Sequence, residues 1–133
     1  MKNLLIQAVT ILHPNSPFNG KLADVLIIDG KISEIGKKIT VPNIKTVIIS
    51  GKGQFLSPGF LDINVNFGEP GLETKEDIDS GCSAAVAGGF TAVALMPNTQ
   101  PPIHSKAEVL YLVNKSQNNL VDILPIGCIS HNR

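Results

Sequence analysis

Apolar and polar residues follow two different rhythms in the two parts of this chain. Up to residue 55 the apolar residues fall in short β-rich runs: Leu4 to Leu12, Asp24 to Asp29, Lys31 to Ile35 and Thr46 to Ile49. Each run is bounded by loops, Pro14 to Gly20 and Gly36 to Lys45, rich in Pro, Asn, Gly and Lys, so four strands are predicted. Asp29-Gly30 between two of the runs is a tight-hairpin signal of the kind that needs positive φ. Residues 1–55 therefore read as a small, strand-only, β-sandwich-like domain, too thin to bury much surface by itself.

From residue 56 onward strand and helix alternate. Phe60 to Asn66 reads as a strand. Thr74 is a candidate cap for the next helix, with Asp77 three residues on. The helix runs through Ser80, Cys82, Ala84, Ala85 and Ala87, a small-residue surface suited to close packing, and Gly88-Gly89 ends it. Phe90 to Met96 is almost wholly apolar, as a strand covered on both faces should be. Pro97 to Pro102 is a loop, Lys106 to Lys115 an amphipathic helix, and Val121 to Ile129 a third strand. The order β-α-β-α-β over residues 56–133 predicts an α/β unit with a parallel sheet and right-handed crossovers, compatible with a barrel or a doubly wound sheet. No Gly-x-Gly-x-x-Gly follows a strand, which removes support for a dinucleotide site. A three-stranded parallel sheet has two open edges, so the expectation is a chain truncated after its third strand. The remainder of its own polypeptide, or another chain, would then complete it.

Composition narrows the function classes. Eleven basic and eleven acidic residues give zero formal charge, and no basic stripe points to nucleic acid. No apolar run reaches the length of a membrane span, and the apolar opening lacks a cleavage site. A cytoplasmic protein is the expectation. Cys82 and Cys128 lie far apart, outside any ligand spacing, and read as buried apolar residues in a reducing compartment.

In a barrel, chemistry sits at the carboxyl ends of the strands. Those ends carry Asn64, Asn66, Gly68 and Glu69, then Pro97, Asn98 and Thr99, then Ser130, His131 and Asn132. Asn64 and Asn66 stand at i and i+2, a spacing that puts both on one face of a strand. A metal pair would occupy such places, yet carboxamides are weak donors for zinc, which favours imidazole, thiolate or carboxylate. Glu69 is the only acid of the group, and His131 the only residue titrating near neutrality; a terminal histidine reads as a solvated loop residue. His13 and His104 read as loop residues without partners nearby in sequence. Asp62-x-Asn64-x-Asn66 with Glu73 imitates a calcium loop, but Phe67 stands where glycine is required and Pro70 interrupts it. Glu73, Glu76, Asp77 and Asp79 crowd a predicted helix start, where acids favour the macrodipole.

Pro58-Gly59-Phe60-Leu61-Asp62-Ile63-Asn64-Val65-Asn66-Phe67-Gly68-Glu69-Pro70-Gly71 resembles the first-strand signature of dihydroorotases and related cyclic amidohydrolases. That signature is Pro-Gly-x-x-Asp-x-His-x-His-x-Arg-Glu-Pro-Gly. Gly81 to Thr91 and Met96-Pro97-Asn98-Thr99 continue the match. The resemblance implies the N-terminal part of a metal-dependent (β/α)8 TIM barrel preceded by a small all-β domain. It implies interconversion of dihydroorotate and carbamoyl aspartate in pyrimidine biosynthesis.

In the family the two histidines bind zinc, the arginine grips the substrate carboxylate, and the asparagine assists. By position these fall on Asn64, Asn66, Gly68 and Asn98, of which only Asn98 keeps the family residue. Asn64 and Asn66 are thus vestigial metal-ligand positions, Gly68 and Asn98 vestigial substrate positions, and no metal or other cofactor is expected here. Ring opening needs a metal-activated water, so catalytic residues are expected to be absent and the protein to be a pseudoenzyme with a scaffolding role. Inactive homologues in the family assemble with aspartate carbamoyltransferase, which makes that enzyme a candidate partner, and self-association is also expected. The alternative is an active cyclic amidohydrolase whose altered site is completed by residues beyond 133.

Overall fold

A computed structural model of the chain describes residues 3–41 and 45–129. The strands are β1 (Asn3–Ile11), β2 (Leu22–Ile28), β3 (Lys31–Gly36), β4 (Thr46–Ser50), β5 (Phe55–Leu56), β6 (Phe60–Val65), β7 (Phe90–Leu95) and β8 (Asp122–Pro125). The helices are α1 (Ile78–Ala87) and α2 (Lys106–Ser116). The chain divides into two compact units between Pro58 and Gly59.

In the first unit the described strands form one sheet, ordered β3-β2-β1-β4, with β5 pairing β1 beyond β4. All five belong to that sheet, and a second one facing it is not among the described residues. β2 and β3 form the hairpin that Asp29-Gly30 predicts: their φ angles are 49° and 77°, the left-handed pair of a type I′ turn. β5, only two residues long, lies outside the four predicted runs. β1 pairs antiparallel with β2 but parallel with β4. An irregularity between Ile6 and Val9 breaks its register, with Ala8 at φ 55°. The Ala8 N–H, turned out of the ladder, donates to Asp24 Oδ1 at 2.9 Å, and the Ile39 N–H donates to Oδ2 at 3.2 Å. Asp24 is 7% exposed: a buried acid is kept by giving both oxygens to backbone donors. Apolar clusters lie around Val9, Ala23 and Val25, and around Leu5, Leu26 and Ile39.

In the second unit β6, β7 and β8 form a parallel sheet in sequence order. Val93 and Leu95 pack with Phe67, Ile78, Cys82 and Leu112 in the core beneath the helices. Cys82 is buried as expected, and burial raises its thiol pKa, helped by the Asp79 carboxylate. Cys128 is only half-buried, and its Sγ lies 3.8 Å from the Pro97 carbonyl. The two thiols are free.

α1 is capped by Asp77, not Thr74. Its carboxylate accepts from the Ser80 N–H at 2.8 Å, and Ser80 returns a contact to the Asp77 N–H. The box is thus Asp77 with Ser80, because the chain between Thr74 and Asp77 is taken up by loop. Gly88 caps the other end, followed by Gly89 at φ 81°. α2 carries its own box, Ser105 with Glu108. Gly81 lets α1 approach the Phe67 ring: a Cβ there would lie 2.5 Å from ring carbons. Gly81→Ala gains about 1 kcal/mol of helix propensity but overpacks a fixed ring at about 1–3 kcal/mol. A net loss in denaturant midpoint is the expected result.

The opposite sheet face carries Leu61, in register with Ala92, and Leu124, in register with Ala94. Leu61 is 53% and Leu124 48% exposed. Parallel sheets have both faces covered, and among the described residues nothing of this unit covers this one.

Candidate functional site

The carboxyl ends of β6 and β7 form the rim. Pairing of β6 with β7 shifts register between Asp62 and Val65. Asp62 is opposite Val93 and Val65 opposite Leu95, three residues against two, so one extra residue bulges from β6. The bulge leaves the Asn64 N–H outside the ladder, and Asp62 Oδ1 accepts it at 2.9 Å. Asp62 thereby serves the backbone. Val65 packs against the core on the helix side, whereas Asn64, within the bulge, is exposed. Asn66 follows just past the last strand residue, and its Oδ1 accepts from Asn98 Nδ2 at 2.5 Å. The rim therefore brings together Asn66 and Asn98, 32 residues apart in the chain. All three asparagines are exposed.

Zinc does not fit this donor set. Asn66 already spends a lone pair on Asn98, and the neighbouring oxygen of Asp62 is held by backbone. Among the described residues no three of His, Cys, Asp and Glu cluster as ligands would.

The other described residues of the rim are engaged by the protein itself. Glu69, expected as the acid of the rim, is 1% exposed and turned inward. It accepts from the Ile78 N–H at 3.1 Å, from the Tyr111 hydroxyl at 2.5 Å, and from the Lys115 ammonium. Burial alone would raise its pKa, but the donors of Lys115, Tyr111 and Ile78 together outweigh it and hold the carboxyl below its ordinary value. The Lys115 pKa is raised in turn, chiefly by its hydrogen bond to Glu69. Sequence reading missed Tyr111 and Lys115. Their i, i+4 spacing marks a shared helix face, but nothing local says that Glu69 meets it.

Gly68, the other rim position, is a backbone crossing. Its N–H donates to Glu76 O at 2.8 Å and its carbonyl accepts from the Leu72 N–H at 2.8 Å. The following loop contains cis Glu69-Pro70, and the loop after β7 contains cis Gln100-Pro101. The two loops join where Gln100 N–H donates to Pro70 O at 2.8 Å. Thr99 is buried and donates to Pro101 O at 2.8 Å.

The four carboxylates before and in α1 each accept a hydrogen bond from within the protein. Glu73 accepts from the Gly71 N–H at 2.7 Å, Glu76 from Ser80, and Asp79 from Asn119 at 3.1 Å. Asp77 is the cap, its pKa lowered first by the Ser80 N–H. His104 is not without neighbours: its Nδ1 lies 2.8 Å from Pro102 O and 4.0 Å from Glu108 Oε2, because α2 turns Glu108 back over its own cap. β8 stops at Pro125, short of the predicted end, although the Ile126 N–H still reaches Leu95 O at 2.9 Å. Ser130, His131 and Asn132 lie outside the described residues. No helix among the described residues is long and apolar enough to cross a membrane.

A family profile described as "Dihydro-orotase-like" matches residues 53–132. A dihydroorotase of Citrifermentans bemidjiense is 45% identical over 129 residues, 96% of this chain and 30% of that protein. The dihydroorotase of Aquifex aeolicus is 42% identical over 134 residues, 100% of this chain and 31% of that one. This chain thus spans about 30% of the length of these curated relatives. Among solved structures, L-hydantoinase (dihydropyrimidinase) from Arthrobacter aurescens superposes with TM-score 0.77 at 24% identity, covering 96% of this chain and 28% of that chain. A dihydroorotase crystal structure superposes with TM-score 0.62 at 18% identity, over 96% and 31%. These two likenesses show a shared mixed α/β fold. The profile covers more than half of the sequence, and the chain belongs to the dihydro-orotase-like family.

Proposed function

We propose that this chain is part of a dihydroorotase-like protein of pyrimidine biosynthesis whose metal site is silent and whose role is structural. The observation that carries the reading is the rim itself. Carboxamides stand at both ligand positions, one is bonded to Asn98, and glycine replaces the cation that would hold a carboxylate. Ring opening of a cyclic amide needs a polarised carbonyl and an activated water, and amide side chains supply neither. A guanidinium–carboxylate contact contributes about 1.5–3 kcal/mol, a contribution that Gly68 cannot make.

The fold signals support retention of structure. Both helix caps are formed, and the loops are tied at Glu69 and at Gln100. The open apolar face of β6–β8 supports completion by further strands, from the same polypeptide or from a partner. Aspartate carbamoyltransferase and a second copy of the chain are the partners that the family likeness suggests.

The test uses the polypeptide as the cell makes it. Metal content and carbamoyl aspartate formation from dihydroorotate are measured together, for the native protein and for Asn64→His/Asn66→His. Sub-stoichiometric zinc and no turnover in the native protein are expected. Stoichiometric zinc with turnover in the native protein overturns the reading and favours an active amidohydrolase with an altered site.

A further inference from the structure

We propose that Glu69 holds the rim loop from Phe67 to Glu76 in a closed form in which position 68 has room for no side chain. Glu69 is then a positioning residue, and Gly68 the seal of the rim. The evidence at Gly68 is steric. A Cβ built there would lie 2.0 Å from the Leu72 carbonyl oxygen, 2.7 Å from its carbon and 3.0 Å from Glu76 O. All three are backbone atoms, so no flexible side chain can move aside. The loop cannot readily yield, because Gly68 bonds both Glu76 and Leu72. The residue next to it, Glu69, is tied to the start of α1 through Ile78, to the middle of α2 through Tyr111 and to its last turn through Lys115. A three-point attachment of one buried side chain leaves the adjacent backbone little freedom.

The consequence for binding is direct. At this point the rim offers backbone and no cation, and a basic residue placed at 68 would have to open the loop before it could reach a ligand. Restoring the rim is therefore not a matter of exchanging side chains one by one. The inference stands whether or not the polypeptide turns over a cyclic amide, since its test reads a conformation and not a rate.

The test is amide hydrogen exchange and thermal melting of the full chain with Gly68→Ala, Gly68→Arg, Glu69→Gln and the double variant Gly68→Ala/Glu69→Gln. Asn66→His serves as a rim control. Gly68→Ala is expected to speed exchange at residues 68 and 72 by about tenfold, with β7 amides unchanged. Glu69→Gln should loosen the same amides, and Lys115→Arg, which keeps a cation, should leave them protected. The effect of Gly68→Ala should shrink in the Glu69→Gln background, because coupled residues are not additive. Should Gly68→Arg not fold, Gly68→Ala decides. Native-like exchange and melting of Gly68→Ala, or strict additivity with Glu69→Gln, overturns the proposal.

Discussion

Glu69→Ala is expected to destabilise the second unit by about 2–3 kcal/mol, read as a shift in chemical-denaturation midpoint. The Ile78 residue is fully buried, so its N–H loses an acceptor that water does not easily replace. Lys115 contributes less. Its side chain is 36% exposed and can turn its ammonium to solvent, where an ion pair is worth little. Glu69→Gln keeps the volume and one carbonyl oxygen and should cost less.

The same cluster sets a pH dependence. The folded pKa of Glu69 lies below its ordinary value of 4.5. Its contribution is therefore fully present above 4.5 and is lost as pH falls through the depressed folded value. Tyr111 and Lys115 have folded pKa values raised from 10.0 and 10.5. Their contributions are complete below 10.0 and fade as pH rises through the raised values. The stability gap between the native chain and Glu69→Gln should thus be flat near neutrality and narrow in acid. A gap that stays constant down to pH values well below 4.5 would show that the carboxylate charge is not what matters.

Asp24→Ala should cost the first unit about 2–4 kcal/mol, because it orphans two backbone N–H groups at once. One is the Ala8 donor that the irregularity of β1 turns away from β2; the other is the buried Ile39 donor. Asp24→Asn presents an amide NH2 to one of them and should fall between the two. Equal midpoints for Asp24→Ala and the native chain would mean that water takes over both bonds.

Much of the local structure is legible from the residues in order. Asp29-Gly30 demands left-handed backbone, and the turn has it. The β-α-β-α-β rhythm after residue 56 yields a parallel sheet in sequence order, because short crossovers leave few other arrangements. The signature around Asn64 and Asn66 points to the family and to the rim, since residue type and spacing are read directly from the chain. Asp77 is not legible as the cap of α1, because Thr74 and Asp77 compete within one loop and only the path of that loop decides between them.

Residue identity by itself settles the hairpin, the order of elements, the family likeness and the absence of imidazole at Asn64 and Asn66. These depend on backbone preference, periodicity and side-chain chemistry, all local. Tertiary structure decides what Glu69 and Gly68 are. An acid at a strand end looks like a catalytic group until Tyr111 and Lys115, more than forty residues later, enclose it. A glycine there looks like a missing arginine until the Leu72 carbonyl is found where its side chain would begin. Partners brought together by folding leave no pattern of spacing in the chain, which is why only the three-dimensional structure shows what surrounds Glu69 and Gly68.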